Sequence, residues 1–200
     1  MSGQIYIFSG PSGVGKSTII RAVYAEIRGL GYSISHTSRA PRGQEQNGVE
    51  YYFVSPQQFE EMIRNKEFAE WAKVYRDFYG TSWNSLRTVL DQGLDVIMDV
   101  DSQGARNIKK QYPAGVLIFI LPPSLEQLEV RLRARATDQE PVIQSRISQA
   151  QEEIRNCTFY DYLIINDRLE EAVAETQSVI RAERCRQSVR LPQIKERFGL

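Results

Sequence analysis

Residues Gly10-Pro11-Ser12-Gly13-Val14-Gly15-Lys16-Ser17, with Thr18 behind them, have the types and spacing that hold a chain of phosphates. They spell G-x-x-x-x-G-K-[ST], the pattern of a phosphate-binding loop. Phosphate oxygens need many donors at close range. Glycines at 10, 13 and 15 remove the Cβ atoms that would block the approach, so successive backbone N–H groups can converge on one phosphate. Lys16 supplies a point charge for the outer phosphates, and the Ser17 hydroxyl can ligate a Mg²⁺. Both flanks suit that chemistry. Ile5-Tyr6-Ile7-Phe8 ahead of the loop reads as a buried strand, and Ile19, Ile20, Val23, Ile27 and Leu30 behind it recur at helical spacing. The loop therefore opens onto a helix N-terminus, and the chain is predicted to bind a nucleoside triphosphate.

The segments that must position this loop alternate between strand-like and helix-like for most of the chain, the signature of a parallel sheet wrapped by helices. Gly31 reads as a helix stop and 32–35 as a second strand; further short apolar strands are predicted over 94–98, Val116–Leu121 and Tyr162–Ile165. Helices are predicted around Asn107, over Leu125–Ala134, over 142–156, and from Leu169 to about 190. Beyond that, the Arg-rich stretch 181–200 with its Pro192 is expected to fray into a tail.

Residues 39–86 break the alternation. A Pro/Gly/Gln-rich opening leads into a strand, Glu50-Tyr51-Tyr52-Phe53-Val54. Ser55-Pro56-Gln57-Gln58 then has the form of an N-cap with Pro at the first helical position and a capping-box Gln. A short helix to Asn65 and strands near 68–75 and 78–82 complete what reads as an inserted lobe. A second irregular piece, 134–141, lies between two helices.

Composition sets limits. Two hundred residues suit one compact domain, or a core with a small inserted subdomain. The formal net charge is zero, so no basic field draws nucleic acid. No window is long and apolar enough to span a bilayer, and Met1-Ser2-Gly3-Gln4 shows no signal pattern; the expected setting is the cytoplasm, without a membrane partner. Cys157 and Cys185 are far apart and form no metal spacing, so reduced thiols are expected. His36 stands among Ser, Thr and Arg with no metal-ligating partner, which suits a polar loop or strand end.

A phosphate-binding loop alone leaves ATPase, GTPase, motor, transporter and kinase open. The lobe narrows the choice. It carries Arg39, Arg42, Glu45, Tyr51, Tyr52, Glu70 and Tyr79-Gly80-Thr81-Ser82. Any one of these, taken alone, reads as a solvated surface group. Together, two arginines beside tyrosine hydroxyls suit a second, dianionic phosphate, because guanidinium forks pair bidentately with phosphate oxygens. Glu70 lies in an alternating apolar context that would bury its carboxylate, and a buried carboxylate needs donors. Guanine N1–H and N2–H₂ are a matched pair of donors.

With these residues assembled, the sequence closely resembles the guanylate kinase family. The matching pieces are the loop through Thr18, Ser35-His36-Thr37-Ser38-Arg39-Ala40-Pro41-Arg42, Gly48-Val49-Glu50-Tyr51-Tyr52-Phe53-Val54-Ser55 and Glu67-Phe68-Ala69-Glu70-Trp71-Ala72. Tyr79-Gly80-Thr81-Ser82, Asp99-Val100-Asp101-Ser102-Gln103-Gly104-Ala105, Leu121-Pro122-Pro123-Ser124 and Ile164-Ile165-Asn166-Asp167 follow in the family's order. The match covers about residues 4 to 180. It implies an α/β fold: a P-loop NTPase parallel sheet flanked by helices, with an inserted mixed α+β GMP-binding lobe and a short lid. The implied division is a core of 1–36 and 87–200, a lid at about 134–146 and a lobe of 37–86.

The implied reaction is Mg²⁺-dependent transfer of the γ-phosphoryl group of ATP to GMP, giving ADP and GDP. Ser35, Arg39, Arg42, Tyr51 and Tyr79 would hold the GMP phosphate and position the nucleotide. Glu70, Thr81 and Asp99, with Ser35 nearby, would read guanine. Arg131, Arg135 and Arg146 match the family's arginines around the lid, and Asn166, with Asp167 beside it, falls where adenine is contacted. Asp101 stands near the site with either a Mg²⁺-shell or a structural role. Two departures stand out. Pro41-Arg42-Gly43-Gln44-Glu45 replaces the family's Pro-Arg-Pro-Gly-Glu, and Ala134 and Ala136 flank the lid arginine where many bacterial members have glycine. Other readings are a catalytically inactive guanylate-kinase-like binding module, against which Lys16 and Ser17 are intact, and a P-loop kinase for another small phosphorylated acceptor. Protein partners are not implied.

Overall fold

Strand β1 (Ile5–Ser9) is buried along its whole length. A parallel strand covered on both faces has no solvent side, so its sequence is continuously apolar and not alternating. The same holds for β8 (Val116–Leu121), buried up to its last residue. The computed structural model describes residues 3–74, 76–134 and 139–200. Its larger sheet has the order β2-β7-β1-β8-β9, with β2 Leu30–Tyr32, β7 Asp95–Asp99 and β9 Tyr162–Ile165. Strands β1 and β2 both pair with β7 in parallel, and β9 pairs with β8 in parallel. A smaller mixed sheet has the order β4-β3-β6-β5, from β3 (His36–Thr37), β4 (Tyr52–Phe53), β5 (Phe68–Val74) and β6 (Asp77–Ser82). This is the expected α/β class with a separate mixed sheet.

The chain packs as two units, Met1–Ser9 with Gly29–Leu117 and Gly10–Arg28 with Ile118–Leu200. In the first unit the small sheet is pinned by helix α2 (Pro56–Arg64). Ser55 caps it, with the reciprocal Gln58 bond of a capping box and Pro at the first position. Its buried Phe59 stacks on Phe68 and Phe78, with ring centroids 4.4 and 5.2 Å away. Helix α3 (Trp83–Leu90) follows β6 directly, capped by Ser82. Helix α4 (Ser102–Gln111) follows β7, capped by Asp101.

The second unit begins with the phosphate-loop segment and α1 (Lys16–Glu26), and continues through α5 (Leu125–Ala134), α6 (Glu140–Arg155), a 3₁₀ turn at Cys157–Phe159, α7 (Leu169–Glu183) and α8 (Gln187–Phe198). Leu128 and Leu132 of α5 meet Ile143, Ile147 and Ala150 of α6 in one apolar cluster. Gln177 of α7 donates to Glu26 of α1 at 2.7 Å.

Three expectations require correction. Gly31 is no helix stop: α1 ends at Glu26, the turn uses Gly29 at φ 78°, and Gly31 lies inside β2. It is glycine because Val89 covers it; a Cβ there would sit 2.1 Å from Val89 Cγ1. The second strand is accordingly Leu30–Tyr32 and not 32–35. The C-terminal stretch is no frayed tail but α8, with Pro192 inside it. Helix α8 buries no residue, so the backbone group that Pro192 leaves unpaired is within reach of water. His36 stands at a strand end, as expected, as the first residue of β3.

Candidate active site

The phosphate-loop segment keeps its shape through positions that exclude a side chain. Gly10 (φ 140°) lies so close to β8 that a Cβ would sit 2.3 Å from the Ile120 carbonyl oxygen. Gly15 (φ 98°) caps α1 in the left-handed region, and a Cβ there would meet Asn166 Nδ2 at 2.3 Å. Since α1 has neither a capping side chain nor an acid in its first turn, its positive end is left for an anion. Lys16 Nζ donates to the Gly10 carbonyl at 2.7 Å, closing the loop on itself. Pro11 and Val14 are buried beneath it, while Ser12, Ser17 and Thr18 are exposed.

Asn166 and Arg131 brace this loop from behind. Asn166 is buried, and its Nδ2 donates to the Val14 carbonyl at 2.7 Å. Arg131 donates through Nη2 to the Asn166 carbonyl at 2.9 Å and through Nη1 to the Val14 carbonyl at 3.4 Å. Arg146, from α6, reaches the Ser12 hydroxyl at 3.5 Å. Arg135 and Ala136 lie outside the described residues.

In the first unit a buried carboxylate, Glu70, organises a second group of the predicted site residues. A register shift between Phe68 and Glu70 interrupts the β5–β6 ladder, and the Thr81 N–H donates to Glu70 Oε1 at 3.0 Å. Thr81 Oγ1 lies 3.0 Å from Ser35 Oγ, so Ser35, Thr81 and Glu70 form a chain. Glu70 is only 8% exposed. Burial pushes its carboxyl up to about 7, opposed by the Thr81 bonds and assisted by the Asp101 charge; no cation is among the described groups acting on it. A desolvated carboxylate of this kind calls for donors from a ligand.

In the same unit, Arg39 is held bidentately by Glu45, with Nη1–Oε2 at 2.8 Å and Nη2–Oε1 at 3.0 Å. The Arg42 N–H donates to the same Glu45 at 2.7 Å. The guanidinium packs over Tyr51 (5.3 Å) and Phe53 (5.8 Å). Its Nε is buried without a partner among the described residues, an unspent donor at the place where an anion is expected. The hydrogen bond to Glu45, with a smaller one to Tyr79, keeps Arg39 firmly charged. Tyr51 and Tyr79 meet edge to face at 6.0 Å, and burial followed by the Asp99 charge holds the Tyr51 hydroxyl above its ordinary range.

The family model described as guanylate kinase matches residues 2–183. The chain belongs to the guanylate kinase family. It is 51% identical to a guanylate kinase of Carboxydothermus hydrogenoformans over 91% of this chain and 89% of the relative. It is 46% identical to one of Geobacter metallireducens over 99% and 98%. The crystal structure of guanylate kinase from Anaplasma phagocytophilum superposes with a TM-score of 0.79 at 32% identity, covering 100% of this chain and 97% of that one.

Among the guanylate kinase residues carried over from the motifs, Ser35, Thr81 and Glu70 are joined by hydrogen bonds, and Arg39, Tyr51 and Tyr79 meet around one guanidinium. Arg42 is exposed, its backbone alone tied to Glu45. Asp99 ends β7, and its charge acts on Tyr32 and Tyr51. The departure at Gly43-Gln44 leaves Glu45 in place: Gly43 takes φ 55° with open space around it, and Glu45 still grips Arg39. Asp101 has a structural task, accepting the Gly104 N–H at 2.7 Å as the α4 cap. His36 is an aromatic packing residue, 4.9 Å from Tyr52 and 5.8 Å from Phe68, with burial lowering its pKa. Sequence reasoning gave Glu45 no role of its own. Its signal was a lone acid three residues beyond Arg42, which the sequence shares with any surface turn.

Proposed function

We propose that the two groups of residues described above carry out the family's ATP:GMP phosphotransfer as its donor and acceptor sites. Lys16 and the N–H groups of Gly10–Ser17 would hold the ATP phosphates, with Asn166 bracing the loop from behind. Ser35, Arg39, Arg42, Tyr51 and Tyr79 would hold GMP by its phosphate, and Glu70, Thr81 and Asp99 would read its base. The single observation that carries the acceptor assignment is Glu70: a buried carboxylate with no cation among the described groups acting on it, in the same unit as Arg39, whose Nε has no partner among the described residues.

Phosphoryl transfer spreads charge over the equatorial oxygens of a loose transition state, so the protein mainly positions and neutralises. Lys16, Arg146 and Arg135 suit that task, with Arg131 acting on the loop through Val14. The attacking phosphate is already anionic and needs no strong base. The donor set also fits Mg²⁺. One exposed hydroxyl, Ser17, is what that ion takes from a protein when substrate phosphates and water fill its remaining positions, and no cluster of three metal-ligating side chains occurs among the described residues. When bound it would neutralise charge on the ATP phosphates. This reading places the chain in purine nucleotide metabolism of the cytoplasm.

A coupled ADP-release assay across GMP, AMP, CMP and UMP tests it. GMP should be the favoured acceptor, and Lys16→Ala should lower turnover by about 10²–10³-fold or more while GMP binding persists. A Lys16→Ala protein with near wild-type kcat, or a wild type indifferent to the base, would refute the assignment.

A further inference from the structure

Helix α4 has a glycine at its third residue, although glycine is a poor helix former. Its backbone does not require one: Gly104 has no positive φ. What requires glycine is an approach. A Cβ at 104 would stand 2.7 Å from Glu70 Oε2, 3.2 Å from Glu70 Cδ and 3.2 Å from Val100 Cβ. The helix cannot easily retreat. At its start the Gly104 N–H is tied to Asp101 Oδ1 at 2.7 Å, and at its end Gln111 Nε2 donates to the Ala69 carbonyl, next to Glu70, at 2.7 Å. Nor can the carboxylate swing aside freely, because Oε1 accepts the Thr81 N–H and Thr81 is bonded to Ser35.

We propose that Gly104 is a specificity-determining positioning residue: its missing side chain lets α4 close against the Glu70 carboxylate and sets the direction of Oε2. This rests on the reading of Glu70 as the residue that recognises guanine. Thr81 holds one oxygen, and α4 determines where the other points. Gly104 touches no substrate. It acts through Glu70, and the bare backbone also shields the carboxylate from water without adding a donor that would compete with the base.

The test is a set of purified variants, Gly104→Ala, Glu70→Gln, Glu70→Asp and the pair Glu70→Asp with Gly104→Ala. Each is assayed for kcat and KM with GMP and AMP, KM for ATP, and Tm. Gly104→Ala should raise the KM for GMP by about tenfold or more and narrow the GMP-over-AMP preference by a similar factor. The KM for ATP should stay within about twofold, since the P-loop is not touched. The paired variant should lose less than the product of its two single losses, because the shorter acid withdraws from the new Cβ. If Gly104→Ala does not fold, the paired variant should fold, and its failure to do so overturns the proposal. A Gly104→Ala enzyme with wild-type selectivity, where Glu70→Gln narrows it, overturns the proposal and leaves the reading of Glu70 standing. If Glu70→Gln itself leaves the GMP:AMP ratio unchanged, that reading falls and the proposal with it.

Discussion

Replacing Glu70 by Gln should make the protein more stable and a worse enzyme, with both effects tied to pH. The fold raises this carboxyl from its ordinary 4.5 to about 7, mainly by burial. A raised pKa means the fold favours the protonated form. Glu70 therefore costs nothing below 4.5, costs progressively more as pH rises from 4.5 to 7, and costs a constant amount above. At about 1.4 kcal/mol per pH unit that gap is roughly 3 kcal/mol. Glutamine keeps an oxygen for the Thr81 N–H and carries no charge to desolvate. Glu70→Gln should accordingly melt several degrees higher than wild type at pH 8, with the advantage gone by about pH 4.5. Activity should move the other way. With its oxygen on Thr81, the amide turns N–H₂ toward the N1–H and N2–H₂ of guanine, and a lost hydrogen bond to a charged group costs about 1.5–3 kcal/mol, or roughly 10- to 150-fold in kcat/KM for GMP. The wild-type kcat/KM for GMP should also fall as pH drops below about 7, and the variant should lose that dependence. Melts at pH 5 and 8, with GMP and AMP kinetics across the same range, decide the matter. Equal melting shifts at both pH values, or an unchanged GMP:AMP ratio, would refute the reasoning.

Glu45→Ala should raise the KM for GMP about tenfold with a smaller change in kcat, because it unties the Arg39 fork and the Arg42 backbone while leaving the donor site alone; steady-state titration of each substrate checks this, and an effect confined to ATP would contradict it. Arg135→Ala should lower kcat far more than it raises the KM for GMP, since a group that acts on the transition state leaves ground-state binding intact; loss of GMP affinity at constant kcat would move Arg135 to the acceptor side. Ser55→Ala removes the Gln58 N–H to Ser55 Oγ bond of the α2 capping box and should cost about 1 kcal/mol, or about 2–4 °C in Tm, with the KM for ATP unchanged; an unshifted melt would mean that the Phe59 stack holds α2 without its cap.

The sequence by itself determined what is local. The phosphate-loop pattern is legible because it lies in eight consecutive residues whose backbone would do the binding. Strand β8 falls within its predicted bounds because a buried parallel strand is an unbroken apolar run, and β9 because its four apolar residues lie between Asp161 and Asn166, although Leu163 and Ile165 are exposed. The α2 cap is legible because Ser55, Pro56 and Gln58 lie within one helical turn. What tertiary structure decided involves partners distant in the chain. Gly31 reads as a helix stop until Val89, 58 positions on, is seen to occupy the space of its side chain. His36 is polar by type, yet Tyr52 and Phe68 surround it. Arg131 and Asn166 carry the right residue types for phosphate and base, but only the fold turns them toward the Val14 carbonyl. Glu70 draws its raised pKa from burial, to which the close approach of α4 contributes, with the Thr81 bonds opposing it and the Asp101 charge assisting. A sequence pattern names groups that can do chemistry; burial and approach distance, which set their charge and direction, exist only once separate segments meet.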